Sequence, residues 1–179
     1  DNTSLTLILV LFASYMMGSF PTSMLIGKLI RGIDIREQGS GNTGGFNVLR
    51  VLGWKPALVL VVFDMFKGWL PAFYLAPFLK GTTLPDLAVF QVLCGFCAVL
   101  GHTYPVFAEF KGGKGVATLA GMMISLFPQA VPICMGIFTV MVILTGYTSV
   151  GSIIASAFLP VILLIFPLLG FEPAELSLL

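Results

Sequence analysis

The sequence predicts an all-α protein, a polytopic transmembrane helix bundle, and three observations predict it. Hydrophobic residues make up 58% of the chain and charged ones 9%, whereas a soluble domain is about a quarter charged. The apolar residues fall in successive runs long enough to cross a hydrocarbon core, which takes about 20 helical residues, or fewer where a segment is tilted or shielded. Backbone groups in lipid must be paired internally, and helices do this within one segment.

Six spans are expected, in one integral membrane domain covering residues 1–179. The first, about 5–26, is broken near its end by Gly18 and Pro21. Asp1 precedes it where a secretory signal peptide would carry a basic region, so it is read as a retained helix. A polar loop with Lys28, Arg31, Arg36, Arg50 and Lys55 follows. The second span, about 56–79, carries Asp64 and Lys67 in its middle, and a link with Lys80 and Asp86 leads to the third, about 87–101. A short fourth run, 116–127, is stopped by Pro128. The fifth is about 130–144, and "TGYTSVGS" separates it from the sixth, about 153–169, before a tail with Glu172 and Glu175.

Orientation follows from where Lys and Arg fall. With alternate crossings, Lys28, Arg31, Arg36, Arg50, Lys55, Lys111 and Lys114 share one side and Lys80 alone takes the other. The N-terminus is expected outside, with "GSGNTGGFN", "KGGKG" and "TGYTSVGS" at the cytoplasmic face. A net charge of +1 indicates neither a nucleic-acid nor an acidic partner. Cys94 and Cys97 form a C-x-x-C inside an apolar run, read as small packing residues rather than a redox pair. One histidine and scattered carboxylates lack metal-ligand spacing, so no metal and no cofactor is expected.

Gly39, Gly41 and Gly44 have the G-x-G-x-x-G spacing of a dinucleotide-binding turn. That fingerprint needs a βαβ unit and an acidic residue about 20 positions on. Asp64 has the offset but lies in a membrane span, so the dinucleotide reading fails. What remains is a glycine-rich loop whose N–H groups can converge on an anion, with Ser40, Asn42, Thr43 and Asn47 as hydrogen-bonding residues and Arg50 as a bidentate phosphate partner. A capped turn between helices fits the same residues. The second loop, Lys111, Gly112, Gly113, Lys114 and Gly115, runs straight into the fourth span. A helix start with two lysines suits a phosphate, while Gly115 stands where a Walker A motif needs Ser or Thr, which leaves ATP hydrolysis unsupported. A basic interfacial anchor explains the lysines but not the three glycines.

His102 in "GHTYPVF" is a candidate general base or phosphate donor. With no carboxylate near in sequence to orient it, a structural hydrogen-bonding role is preferred. Asp64 and Lys67, at i and i+3, are either a structural pair bracing the loops, which is the preferred reading, or part of the site. Ser149 and Ser152 follow Tyr147 between the fifth and sixth spans, where small hydroxyl residues either help helices pack or contact substrate.

"GSF", "GSGNTGGFNVLR", "FDMFKG" and "GHTYPVFAEFKGGKGVAT", in that order, resemble the bacterial acyl-phosphate:glycerol-3-phosphate acyltransferase family. The resemblance covers about residues 18–152. It implies a seven-helix inner-membrane enzyme that acylates position 1 of glycerol 3-phosphate from acyl phosphate, releasing lysophosphatidic acid and phosphate. Ser40 and Arg50, with Asn42 beside them, correspond to the family's first motif. Lys111 to Gly115 correspond to its glycerol 3-phosphate motif, and Ser149 matches a serine after the fifth helix. The family's seventh helix and the cytoplasmic segment after it have no counterpart before Leu179, so a C-terminal truncation is expected. The expected catalytic set is Ser40, Asn42, Arg50, Lys114, His102 and Ser149. The expected substrate-binding set is Gly39, Gly41, Gly44, Asn47, Lys111, Gly112, Gly113 and Gly115. Acyl phosphate, glycerol 3-phosphate and membrane lipid are the expected partners, with no obligatory protein partner. The competing class is a transporter of a small phosphorylated solute. Its sites tend to lie at the midplane in paired broken helices, whereas the polar loops here cluster at one face.

Overall fold

The computed structural model describes residues 2–79, 87–166 and 168; Lys80, Asp86, Glu172, Glu175 and the expected end of the sixth span lie outside the described residues. All regular structure among the described residues is helical. Among the described residues, four stretches are long and apolar enough to cross a membrane, Thr3–Arg31, Trp54–Leu79, Leu87–Ala108 and Thr148–Ile165. Two shorter apolar helices, Val116–Leu126 and Ala130–Thr145, occupy the fourth and fifth expected runs. The chain is a multi-pass membrane protein, and it divides into two compact units, 1–122 and 123–179.

In the first unit, α1 (Asn2–Gly18) and α2 (Thr22–Arg31) are separated by the expected break. Pro21 has no N–H to give and disfavours a helical Phe20 before it. The helix then resumes further than expected, so Lys28 and Arg31 lie on α2 and not in a loop. The reason is amphipathicity: Thr22, Ser23, Ile26 and Gly27 are buried on one face, and the helix stops only at left-handed Gly32. The "loop" also contains a 3-10 turn, Ile35–Glu37, and a two-turn helix, α3 (Gly45–Leu52), which carries Arg50. Ile35, Val48 and Leu52 bury against Ile26, Ala57 and Leu60, and this small apolar core seats the short elements on α4 (Trp54–Leu70). Lys55 is in the first turn of α4.

Beyond α4 the chain widens into a π turn, Pro71–Leu75, because Pro71 removes a helical N–H. α5 (Leu87–Thr103) packs along α1. A methyl on Gly18 would strike the Ala98 carbonyl, and one on Gly101 would strike that of Tyr15. α6 (Val116–Leu126) meets α4 in the same manner through Gly68 and Gly121. Such small-residue contacts let helices approach where lipid supplies no hydrophobic drive. Cys94 is buried beside Ala76, Leu79 and Phe90, in the packing role expected of it. Leu5, Ile8, Leu9 and Phe12 of α1 are exposed, as befits a lipid-facing surface.

In the second unit, α7 (Ala130–Thr145) and α8 (Thr148–Ile165) pack together, with Gly151 against Phe138 and Val142. Their connection is shorter than expected. Gly146 caps α7 in a left-handed conformation, and α8 begins two residues later. Ser149 and Ser152 are therefore helical residues, and the Ser152 hydroxyl donates to the Thr148 carbonyl at 3.0 Å.

Candidate active site

The first glycine-rich segment is a loop folded around one amide. Asn47 sits on the first turn of α3 and is only 4% exposed. Its Oδ1 accepts from the Ser40 N–H at 2.8 Å, while its Nδ2 donates to the Ile35 carbonyl at 3.2 Å and the Gln38 carbonyl at 3.0 Å. Gly39 and Gly41 adopt φ of 61° and 72°, a region where a side chain is strained. The Asn42 Oδ1 accepts from the Gly44 N–H at 2.8 Å, closing the turn into α3. Asn47 thus holds the loop with all its polar atoms, whereas Ser40 and Arg50 are exposed.

Asp34 and Arg36 brace this loop. The Asp34 carboxylate accepts from the Arg36 backbone at 2.9 Å and from Nε and Nη2 at 3.2 and 2.7 Å. The Arg36 hydrogen bonds hold the Asp34 carboxyl below the usual carboxylate range. Arg36 Nη1 also donates to the Ala108 carbonyl at 3.3 Å and lies 3.7 Å from Glu109. One guanidinium therefore joins the first glycine loop to the approach of the second.

Immediately before the second loop, Glu109 and Phe110 both have left-handed backbones, φ 56° and 59°. This conformation costs about 1–3 kcal/mol for a non-glycine residue and clusters at functional sites. It is held by the Phe110 and Lys111 N–H groups, which donate to the Pro105 and Ala108 carbonyls at 2.9 and 3.0 Å. The Gly112 and Gly113 N–H groups then donate to the Thr103 and His102 carbonyls, each at 3.2 Å. A methyl on Gly112 would strike the His102 carbonyl, and one on Gly113 would strike His102 Nε2. The glycines are required because this segment lies directly on the end of α5.

The two loops meet at a cleft lined by Thr22, Thr43, Asp64, Lys67, His102 and Lys111, among others. Lys67 Nζ donates to Asp64 Oδ1 at 2.8 Å and to the Phe20 carbonyl, at the α1–α2 break, at 2.7 Å. The same Asp64 oxygen lies 3.6 Å from His102 Nδ1. The Thr22 and Thr43 hydroxyls, on residues 5% and 7% exposed, are buried with no hydrogen-bond partner among the described residues.

The first unit therefore brings together Thr43, His102, Lys111 and Gly112 at the cleft, with Gly113 against both His102 and Thr43. Gly39, Gly41 and Gly44 shape the loop ahead of α3, and Gly115, at φ 73°, precedes α6. Lys114 and Arg50 are exposed, and neither forms an ion pair among the described residues. Ser149 is exposed on the first turn of α8, in the second unit. Sequence reasoning left out Thr22 and preferred for Asp64 a structural pairing with Lys67 over a place in the site. The carboxylate that faces His102 stands 38 positions earlier in the chain, a separation at which no local spacing rule operates.

A model of the family described as "Glycerol-3-phosphate acyltransferase" matches residues 8–179. A glycerol-3-phosphate acyltransferase of Chlorobaculum tepidum is 46% identical over 166 residues, 90% of this chain and 72% of the relative. One from Chlorobium phaeobacteroides (strain BS1) is 46% identical over 163 residues, 88% and 69% of the two chains. Among solved structures, PlsY (YgiH), an integral membrane glycerol 3-phosphate acyltransferase, superposes in its glycerol 3-phosphate form with a TM-score of 0.74 at 32% identity, covering 93% of this chain and 78% of that one. Its lysophosphatidic acid form gives 0.73 over the same shares.

Proposed function

The chain belongs to the glycerol-3-phosphate acyltransferase family, and on that premise we propose that it acylates glycerol 3-phosphate for membrane phospholipid synthesis, with acyl phosphate as the donor. The products are then 1-acylated glycerol 3-phosphate, that is lysophosphatidic acid, and inorganic phosphate. The observation that carries this reading is the meeting of two glycine-rich loops at one cleft, Thr43 from the first and Lys111 and Gly112 from the second. Two such loops suit a reaction with two phosphate-bearing substrates.

In the proposed step the glycerol 1-hydroxyl oxygen attacks the acyl carbonyl carbon, the bond from that carbon to the phosphate oxygen breaks, and phosphate leaves with its electron pair. An acyl phosphate is already a mixed anhydride, so no covalent enzyme intermediate is required. Arg50 and Lys114 balance phosphate charge, and Ser40 and Asn42 orient the substrates. The backbone donors of the loops stabilise the oxyanion and the departing phosphate. Positioning supplies much of the rate, since effective molarities of aligned groups reach roughly 10⁵ to 10⁸ M. The hydroxyl proton goes to His102, to an oxygen of the acyl phosphate, or to a residue beyond this segment. Residues 1–179 act as one acyltransferase domain in the bacterial cytoplasmic membrane, with the N-terminus outside and the loops facing the cytoplasm. The excess of Lys and Arg on that side supports this orientation.

The test is product formation by the detergent-purified protein given acyl phosphate and glycerol 3-phosphate. One lysophosphatidic acid and one phosphate per turnover are expected. Product from acyl-CoA but not acyl phosphate would overturn the donor. No product from either by well-folded protein would overturn the transferase, and uptake of phosphorylated solutes into liposomes would then test the transporter.

A further inference from the structure

We infer that the buried Lys67–Asp64 pair is a positioning device for His102, fixing its imidazole with the proton on Nδ1 and leaving Nε2 as a bare acceptor toward Gly113 and the cleft. The inference deepens the acyltransferase reading and, for its catalytic part, rests on it.

The argument starts from Asp64. Its Oδ1 receives Lys67 Nζ at 2.8 Å and faces His102 Nδ1 at 3.6 Å, and the three side chains are 4%, 8% and 9% exposed. A carboxylate paired with a lysine is an acceptor only, so a neutral imidazole meets it favourably with an N–H and unfavourably with a lone pair. At 3.6 Å the contact is electrostatic rather than a hydrogen bond, and burial strengthens such preferences by lowering the local dielectric. Asp64 cannot easily turn away. Lys67 ties it to the Phe20 carbonyl at the α1–α2 break, so the carboxylate is pinned between two parts of the fold.

The other ring nitrogen lies against the second glycine-rich loop. A methyl on Gly113 would collide with Nε2, and the same point lies 3.2 Å from the Thr43 hydroxyl oxygen. Nε2 and that unpartnered hydroxyl therefore flank one position beside the KGGKG segment, and among the described residues Nε2 has no hydrogen-bond donor. A ring nitrogen that must stay bare is what a proton acceptor requires, and the tautomer decides it. Asp64 and Lys67 are accordingly positioning residues, acting through His102.

His102 is the one histidine among residues 1–179, and in ¹⁵N-histidine-labelled protein its signals are identified as those that His102→Gln removes. Solid-state NMR of the labelled protein in lipid bilayers should show Nδ1 protonated and Nε2 unprotonated. Asp64→Asn keeps the shape and offers His102 either an oxygen or an NH₂ group. It should move a measurable share of the proton to Nε2 and lower kcat for lysophosphatidic acid at least tenfold, with KM for glycerol 3-phosphate within twofold. A proton on Nε2 in the unaltered protein overturns the inference, as does an Asp64→Asn variant with an unchanged tautomer or with kcat within twofold. Should that variant not fold, the spectrum of the unaltered protein decides. A correct tautomer in a protein that makes no lysophosphatidic acid would defeat the acyltransferase reading and leave the positioning of His102 standing.

Discussion

Asn47→Ala tests whether the first glycine loop is held by a single side chain. The substitution deletes three hydrogen bonds, to the Ser40 N–H and to the Ile35 and Gln38 carbonyls. Each is worth about 0.5–1.5 kcal/mol net, and the Ile35 carbonyl lies on a fully buried residue. The expected loss is about 2–4 kcal/mol. At this chain size, where 1 kcal/mol shifts Tm by about 2–4 °C, thermal unfolding in detergent should move down by roughly 5–15 °C. Activity measured below the new transition should fall in kcat/KM at least tenfold, because the Ser40 amide and the glycines around it lose their anchor. Asn47→Asp keeps the acceptor for Ser40 but sets an oxygen against two carbonyls, so it should recover only part of the loss. A destabilisation under about 0.5 kcal/mol would refute the reasoning. Unchanged stability with a raised KM would instead return Asn47 to the substrate-binding role the sequence suggests.

Two further outcomes are expected. Lys114 is exposed, so Lys114→Ala should leave Tm unchanged while lowering turnover or phosphate-substrate affinity about 10- to 100-fold; normal kinetics would remove Lys114 from the site. The Asp34 carboxyl is held below its usual range by the Arg36 hydrogen bonds, so its contribution to stability is present above the unfolded carboxylate pKa, about 3.9, and is lost as pH falls through the lowered folded value. The unaltered protein should therefore lose Tm more steeply below about pH 4 than Asp34→Asn does. Identical acid slopes would mean that Arg36 does not hold Asp34 in solution.

Composition and apolar run length were sufficient to determine the class of this protein, because a chain with so few charges and such long hydrophobic stretches is stable only as helices in lipid. The break at Gly18 and Pro21 was legible for a local reason, a missing N–H. So was the loop chemistry, since glycine, lysine and arginine carry their conformational freedom and charge wherever the chain takes them. Element edges were less legible. Residues 27–31 and 45–52 read as loop because glycines and basic residues interrupt them, yet their buried faces pack as helices. The roles within the site belong to the tertiary structure alone. Asn47, a candidate substrate ligand in the sequence, became the loop's internal tie because Ile35, Gln38 and Ser40 curl around it. His102 had no orienting carboxylate within reach along the chain, and α4 supplied Asp64 across the helix interface. Hydrophobic period and backbone chemistry act over a few residues and can be read in order. Which side chain faces which depends on how helices pack, and that is set by contacts between residues far apart in the chain.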